Sequence, residues 1–177
     1  MIAAKLPETY DSALRTILRY SIAMTIVGLL AGASFQESAK KLSFADAPAG
    51  LHLEAILQLA LVHGHVFTIG VLLPLALAGA LLIARHLGGK EVSGRSLAWL
   101  TRGFLPLAAA SLALHLYKGY HFLLMARAGQ RDFAVIDHAL FGGSHVLRFG
   151  IYAVVHVGMS VALGVFVVQL WRSLSRR

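Results

Sequence analysis

Residues 53–84 read LEAILQLALVHGHVFTIGVLLPLALAGALLIA, and this stretch decides the fold. After Glu54 there is no charged side chain until Arg85. A membrane-spanning helix needs about 20 apolar residues in a row, because the hydrocarbon core is about 30 Å thick. This stretch exceeds that length, with His63, His65 and Pro74 as its notable interruptions.

Three more stretches of the same kind follow the same rule, at about 14–35, 97–126 and 146–174. Of 177 residues, 58% are apolar and only 14% are charged. The mean hydropathy is +0.72, too apolar for an ordinary soluble domain. Little chain remains outside the four stretches. The expectation is an all-α integral membrane four-helix bundle, with residues 1–177 as a single transmembrane domain. Arg15 and Arg19 before the first apolar run, and Ala31-Gly32-Ala33 within it, resemble a signal peptide. The long polar segment in front of that run favours a retained first helix.

Lysine and arginine set the orientation. Lys5, Arg15, Arg19, Arg85, Lys90, Arg95, Arg102, Arg172, Arg176 and Arg177 make ten on the side of both termini. Lys40, Lys41, Arg127, Arg131 and Arg148 make five on the other. Positive residues favour the cytoplasm, so both termini are expected there, in the bacterial inner membrane. The net charge of +8 is explained by these flanking residues and by lipid headgroups. No arginine-rich, aromatic-interleaved patch points to nucleic acid. The chain has no cysteine. That excludes disulfides, cysteine-ligated iron–sulfur clusters and covalent c-type heme attachment.

Other features concern packing. Ser21, Thr25, Gly28 and Gly32 share one stripe of the first helix, and the glycine pair admits a close neighbour. Pro74 and Pro106 are expected to bend the second and third helices. Between them, residues 85–96 form a short basic loop. Phe133, Ile136, Leu140 and Phe141 suggest a short interfacial helix within the 127–146 connection.

Nine histidines is a high count for this length. His63, His65, His115 and His156 lie inside apolar stretches, where polar groups are costly and face a bundle interior or cavity. At about 1.5 Å per residue, His65 lies roughly 18 Å from the outer end of its helix, His115 roughly 17 Å and His156 roughly 15 Å. Three helices therefore bring histidine to one layer, and the first helix supplies only packing surface. His63 and His65 are about 200° apart around their helix, so they serve different places. Glu54, Gln58, His65 and Thr68 share a stripe, as do Arg148, Tyr152, His156 and Ser160, and Ser111, His115 and Lys118. Such neighbours can fix the tautomer of a ligating imidazole. His52, His138 and His145 sit near the outer connections and read as solvated or interfacial. His86 is at the cytoplasmic end and His121 near the outer one.

The layer suits heme. Heme iron accepts imidazoles from facing helices, and bundle interiors house it. Gly64, Gly119, Gly150 and Gly158 offer room for a macrocycle. Phe67, Phe122, Phe149 and Tyr152 offer aromatic walls. Lys118, Tyr117, Tyr120, His121 and Arg148 stand where propionates would. The expected axial pair is His65 with His156, and His63 with His115 is a second pair. Bound heme b would make the chain an electron carrier, a redox or gas sensor, or an accessory subunit rather than a stand-alone enzyme. It would act beside a larger respiratory complex, a quinone pool or a second copy of itself. Copper or zinc on the same imidazoles is the alternative, and a cofactor-free assembly subunit is the third reading. The helix centres lack carboxylates, which weakens a proton-relay reading. No phosphate-binding glycine loop or hydrolytic nucleophile–base arrangement is present.

The segment Leu61-Val62-His63-Gly64-His65-Val66-Phe67-Thr68-Ile69-Gly70 carries H-x-H-x-x-x-x-G. It resembles a signature of a family of small four-helix bacterial inner-membrane proteins. Phe35-Gln36-Glu37, and His156 with Gly158, extend the resemblance. What it implies is architecture, since that family carries no assigned activity. The H-x-H segment is also similar to histidine-bearing helices of membrane heme proteins related to heme–copper oxidases, although their long multi-helix subunit is missing here.

Overall fold

The computed structural model describes residues 6–40 and 51–175; of these, the side chains of 38–40, 51–56 and 58 are not described. Glu54, Gln58 and His52 therefore fall outside the described side chains. Every regular element among the described residues is helical. Four helices are long and apolar enough to cross a membrane, over Glu8–Glu37, Leu59–His86, Gly94–Arg127 and His145–Leu174.

The first is α1, Glu8–Lys40. It starts earlier than its apolar run because Pro7 accepts the amides of Tyr10 and Asp11, and Glu8 and Asp11 suit the positive end of a helix. The second consists of α2, Leu51–His65, a π-helical segment Val66–Leu72, and α3, Leu73–His86. The third repeats that plan with α4, Gly94–Ala98, a π-helical segment Trp99–Phe104, and α5, Leu105–Arg127. The fourth is α7, His145–Leu174. Between α5 and α7 lie α6, Phe133–His138, and a 3-10 turn at Leu140–Gly143. Of the short helix expected from Phe133, Ile136, Leu140 and Phe141, the first two lie in α6, while Leu140 and Phe141 fall in the 3-10 turn after it.

Each π segment ends immediately before a proline helix start, at Leu73-Pro74 and Leu105-Pro106. Proline has no amide hydrogen and its ring crowds the carbonyl four residues back. A wider turn relieves both problems, and π turns are rare enough to mark such places. Each segment also turns a glycine toward an outer helix. A Cβ on Gly70 would lie 3.1 Å from Met24, and one on Gly103 would lie 3.1 Å from Ala162. The π segments therefore dock the second helix on α1 and the third on α7.

The tight core lies at the end that carries Glu8 and Leu174. There Tyr10, Ile17, Leu81, Leu97, Leu100, Phe104 and Phe166 are all buried. The Tyr10 hydroxyl accepts the Val92 amide at 2.7 Å, and the Lys90 amide donates to the Ser173 carbonyl at 2.9 Å. Among the described residues, the opposite end has two small clusters. One is Val62, Val66 and Leu112, and the other is Phe122, Ile136 and Leu140.

Candidate functional site

Beyond the small clusters the interior becomes polar, and three helices converge on it. The His65 ring of α2 stacks on the His115 ring of α5, with centroids 5.5 Å apart. His115 in turn meets the His156 ring of α7 edge-on at 6.3 Å. Tyr152 stacks on the other face of His156 at 5.5 Å. The result is one continuous row, His65–His115–His156–Tyr152.

Backbone geometry fixes two of these imidazoles. His65 Nδ1 donates to the Leu61 carbonyl at 2.7 Å, and His156 Nδ1 donates to the Tyr152 carbonyl at 2.9 Å. In both cases the partner is four residues back, one helical turn away, whose carbonyl oxygen has a second lone pair for a side chain. With Nδ1 protonated, Nε2 carries the lone pair, which is how a ligating histidine is held. His156 Nε2 is met only by the Ser111 hydroxyl, at a long 3.3 Å. His115 makes no hydrogen bond to another described residue.

The row opens onto a cavity of about 260 Å³ lined by His115, Lys118, Arg148, Phe149 and Tyr152. Its cations are held by a carboxylate that sequence reading did not single out. Arg148 binds Asp137 through both nitrogens, at 2.7 and 3.1 Å, and Lys118 Nζ lies 3.7 Å from the same carboxylate. Hydrogen bonding from Arg148 holds the Asp137 carboxyl below its ordinary pKa, helped by the charges of Arg148 and Lys118 and opposed by burial. Asp137 sits on the short α6, 11 residues before Arg148, a spacing with no helical period to reveal it.

The same segment is strapped to the bundle by three further contacts. His121 Nε2 donates to the Ile136 carbonyl at 3.3 Å. The Phe141 amide donates to the Tyr117 hydroxyl at 3.1 Å, and the Phe141 ring lies 5.0 Å from that of Tyr117. Phe141 also meets Tyr152 edge-on at 6.1 Å.

His63 goes elsewhere, as its angular separation from His65 requires. Its Nδ1 donates to the Gly28 carbonyl of α1 at 2.9 Å, and its ring stands edge-on to Phe67. A Cβ on Gly32 would lie 2.8 Å from that ring. The glycine stripe of α1 therefore serves His63. This corrects the expectation that α1 supplies only packing surface. Ser34 of α1 also hydrogen-bonds Tyr120 of α5. The expected partnership of His63 with His115 is not assembled here, because the first faces α1 and the second faces the row.

The glycines expected to make room divide in the same way. Gly64 and Gly150 have open space around a notional Cβ, while Gly119 faces Leu59 and Gly158 faces Leu107. Of the expected aromatic walls, Phe149 and Tyr152 line the cavity, Phe67 packs on Gly28, and Phe122 packs on Phe133. Among the described residues, no three of His, Asp and Glu are placed to share one metal ion. In comparisons with known proteins, the chain matches no family model, no curated protein and no solved structure.

Proposed function

We propose that the chain is a b-type cytochrome of the bacterial inner membrane, with heme b held at the histidine row and both termini in the cytoplasm. One observation supports this most: the middle imidazole of a three-histidine row, His115, lines the same cavity as a lysine and an arginine. Imidazole alone would suit iron, copper or zinc equally. The cations discriminate. Lys118, Arg148 and Asp137 together leave one net positive charge beside the row, which disfavours a naked divalent ion and suits the propionates that heme carries.

His65 and His156 would hold the heme iron. Each has its Nδ1 committed to a backbone carbonyl and its Nε2 lone pair left for iron. The His115 ring, which stands between theirs, would turn aside for both to reach one iron. Arg148 and Lys118 would bind the propionates through donors that Asp137 does not occupy. Tyr152 backs His156 and keeps its ring from rotating. Heme, when bound, supplies one-electron transfer or gas ligation. The protein residues hold it, orient it and exclude water from it. A quinone, a larger respiratory complex or a second copy of the chain would exchange electrons with it.

The test is the absorption spectrum of the purified chain before and after dithionite. A Soret band that shifts on reduction is expected, and His65→Ala and His156→Ala should each abolish it. No Soret band, and no heme in a pyridine extract, would overturn the reading. Stoichiometric copper or zinc without iron would make the row a non-heme metal centre instead.

A further inference from the structure

A second pair of histidines lies outside the row. His138 ends α6 and His145 begins α7, and both are solvent-exposed. Their ring centroids are 4.9 Å apart, at 74° to one another. Six residues separate them in sequence, and the intervening backbone brings them together. Phe141, Gly142 and Gly143 all have positive φ, at 55°, 66° and 80°. That conformation is costly for a bulky residue such as phenylalanine. The Tyr117 hydroxyl and the Tyr152 ring hold Phe141 in it.

Both rings are positioned before any ligand arrives. His138 rests against Gly143, where a Cβ would come within 3.5 Å of its ring carbon. His145 stacks on Phe149, one helical turn along α7, at 6.4 Å. Neither imidazole hydrogen-bonds to another described residue. Asp137, next to His138 in sequence, is taken by Arg148, so that arginine's charge is balanced locally and does not repel a cation at the pair.

We infer that His138 and His145 form a surface binding site for a late first-row transition-metal ion, copper(II) or zinc(II), on the face of the protein opposite its termini. Metal–nitrogen bonds of about 2.0–2.1 Å at a tetrahedral angle place two imidazole centroids roughly 5 Å apart, matching the observed 4.9 Å. Two protein ligands leave the remaining positions to water, which makes the ion exchangeable. Imidazole suits both metals, and copper(II) binds such sites more tightly than zinc(II). The site is separate from the histidine row and does not depend on heme.

The full chain, carried in detergent without a polyhistidine tag, is titrated with copper(II) alone and followed by calorimetry and electron paramagnetic resonance. One ion per chain with two coordinated nitrogens is expected. Loss of a mere supporting partner already costs about 10–100-fold in metal affinity. His138→Gln and His145→Gln should therefore each weaken binding at least tenfold. His86→Gln should leave it unchanged, and an ion at the histidine row would appear as a second, independent event that persists in both glutamine variants, so failure of the heme reading is distinguishable. Circular dichroism of each variant separates lost ligation from lost fold, and glutamine keeps the polarity of the turn. Unchanged affinity in both glutamine variants would overturn the inference. So would loss of the ion with His115→Ala.

Discussion

The two ends of this bundle are built from different materials. At the end carrying Glu8 and Leu174, the interior is Tyr10, Ile17, Leu81, Leu100, Phe104 and Phe166, closed by loop-to-helix hydrogen bonds. At the other end the interior is His65, His115, His156 and Tyr152, with Lys118, Asp137 and Arg148 around a cavity. The Val66–Leu72 π segment lies between these regions, while Trp99–Phe104 belongs to the apolar one through Leu100 and Phe104. Apolar packing holds four helices together without a specific partner, so one end can be rigid by bulk alone. The polar end has few buried apolar side chains and relies on individual hydrogen bonds and one ion cluster. A site that must admit a ligand is better placed where cohesion is specific and local than where it is general.

The largest expected effect tests the rigid end. Phe104 is 1% exposed and Phe166 is fully buried in the same cluster. Truncating either to alanine should cost about 3–5 kcal/mol. Loss of dispersion contacts carries that cost within a bilayer. His115→Ala, at the polar end, should cost far less. Unfolding in mixed detergent micelles measures both. If His115→Ala proved as damaging as Phe104→Ala, the histidine row would be a structural core and the contrast between the ends would collapse.

An intermediate effect is expected where α1 meets the second helix. Gly32→Ala drives a methyl group to within 2.8 Å of the His63 ring. That ring cannot yield without giving up the Gly28 carbonyl. Overpacking of this kind costs about 1–3 kcal/mol. The heme band assigned to His65 and His156 should survive it, because His63 faces away from the row. Loss of that band with Gly32→Ala would mean that His63 belongs to the cofactor site after all.

How much of this was readable from the chain differs by region for physical reasons. The four apolar helices were plain, since hydropathy records lipid-compatible length directly. Their starts were less so. Tyr10 is 1% exposed yet lies in a polar first turn, which an apolar window cannot detect. Prolines at 74 and 106 signalled a broken ladder, but whether the break becomes a bend or a π segment depends on what packs there. Here Met24 and Ala162 sit against Gly70 and Gly103. In the site, helical period placed His65, His115 and His156 at one depth, and it separated His63 from them. Asp137 was invisible because its contact with Arg148 crosses an irregular turn. The turn itself depends on Phe141 at positive φ, which no propensity favours.

The smallest effect concerns that carboxylate and sharpens the contrast most. Asp137→Asn keeps the shape of the side chain and removes the charge that Arg148 and Lys118 share. The cluster is partly exposed, so the cost in stability should be about 1 kcal/mol. Its pH dependence is more informative than its size. The Asp137 carboxyl is held below its ordinary value of 3.8 by the Arg148 hydrogen bond. A depressed acid contributes stability that is fully present above its unfolded pKa and is lost as pH falls through the folded one. Wild type and Asp137→Asn should therefore differ by a constant amount from neutral pH down to about pH 5, and converge only in stronger acid. Hydrogen exchange of residues 133–143 should rise in the variant at neutral pH, while exchange around Phe104 stays put. If the two regions loosened together, the ends of the bundle would form one cooperative unit, and the ion cluster would be holding the whole fold rather than a strap across the site.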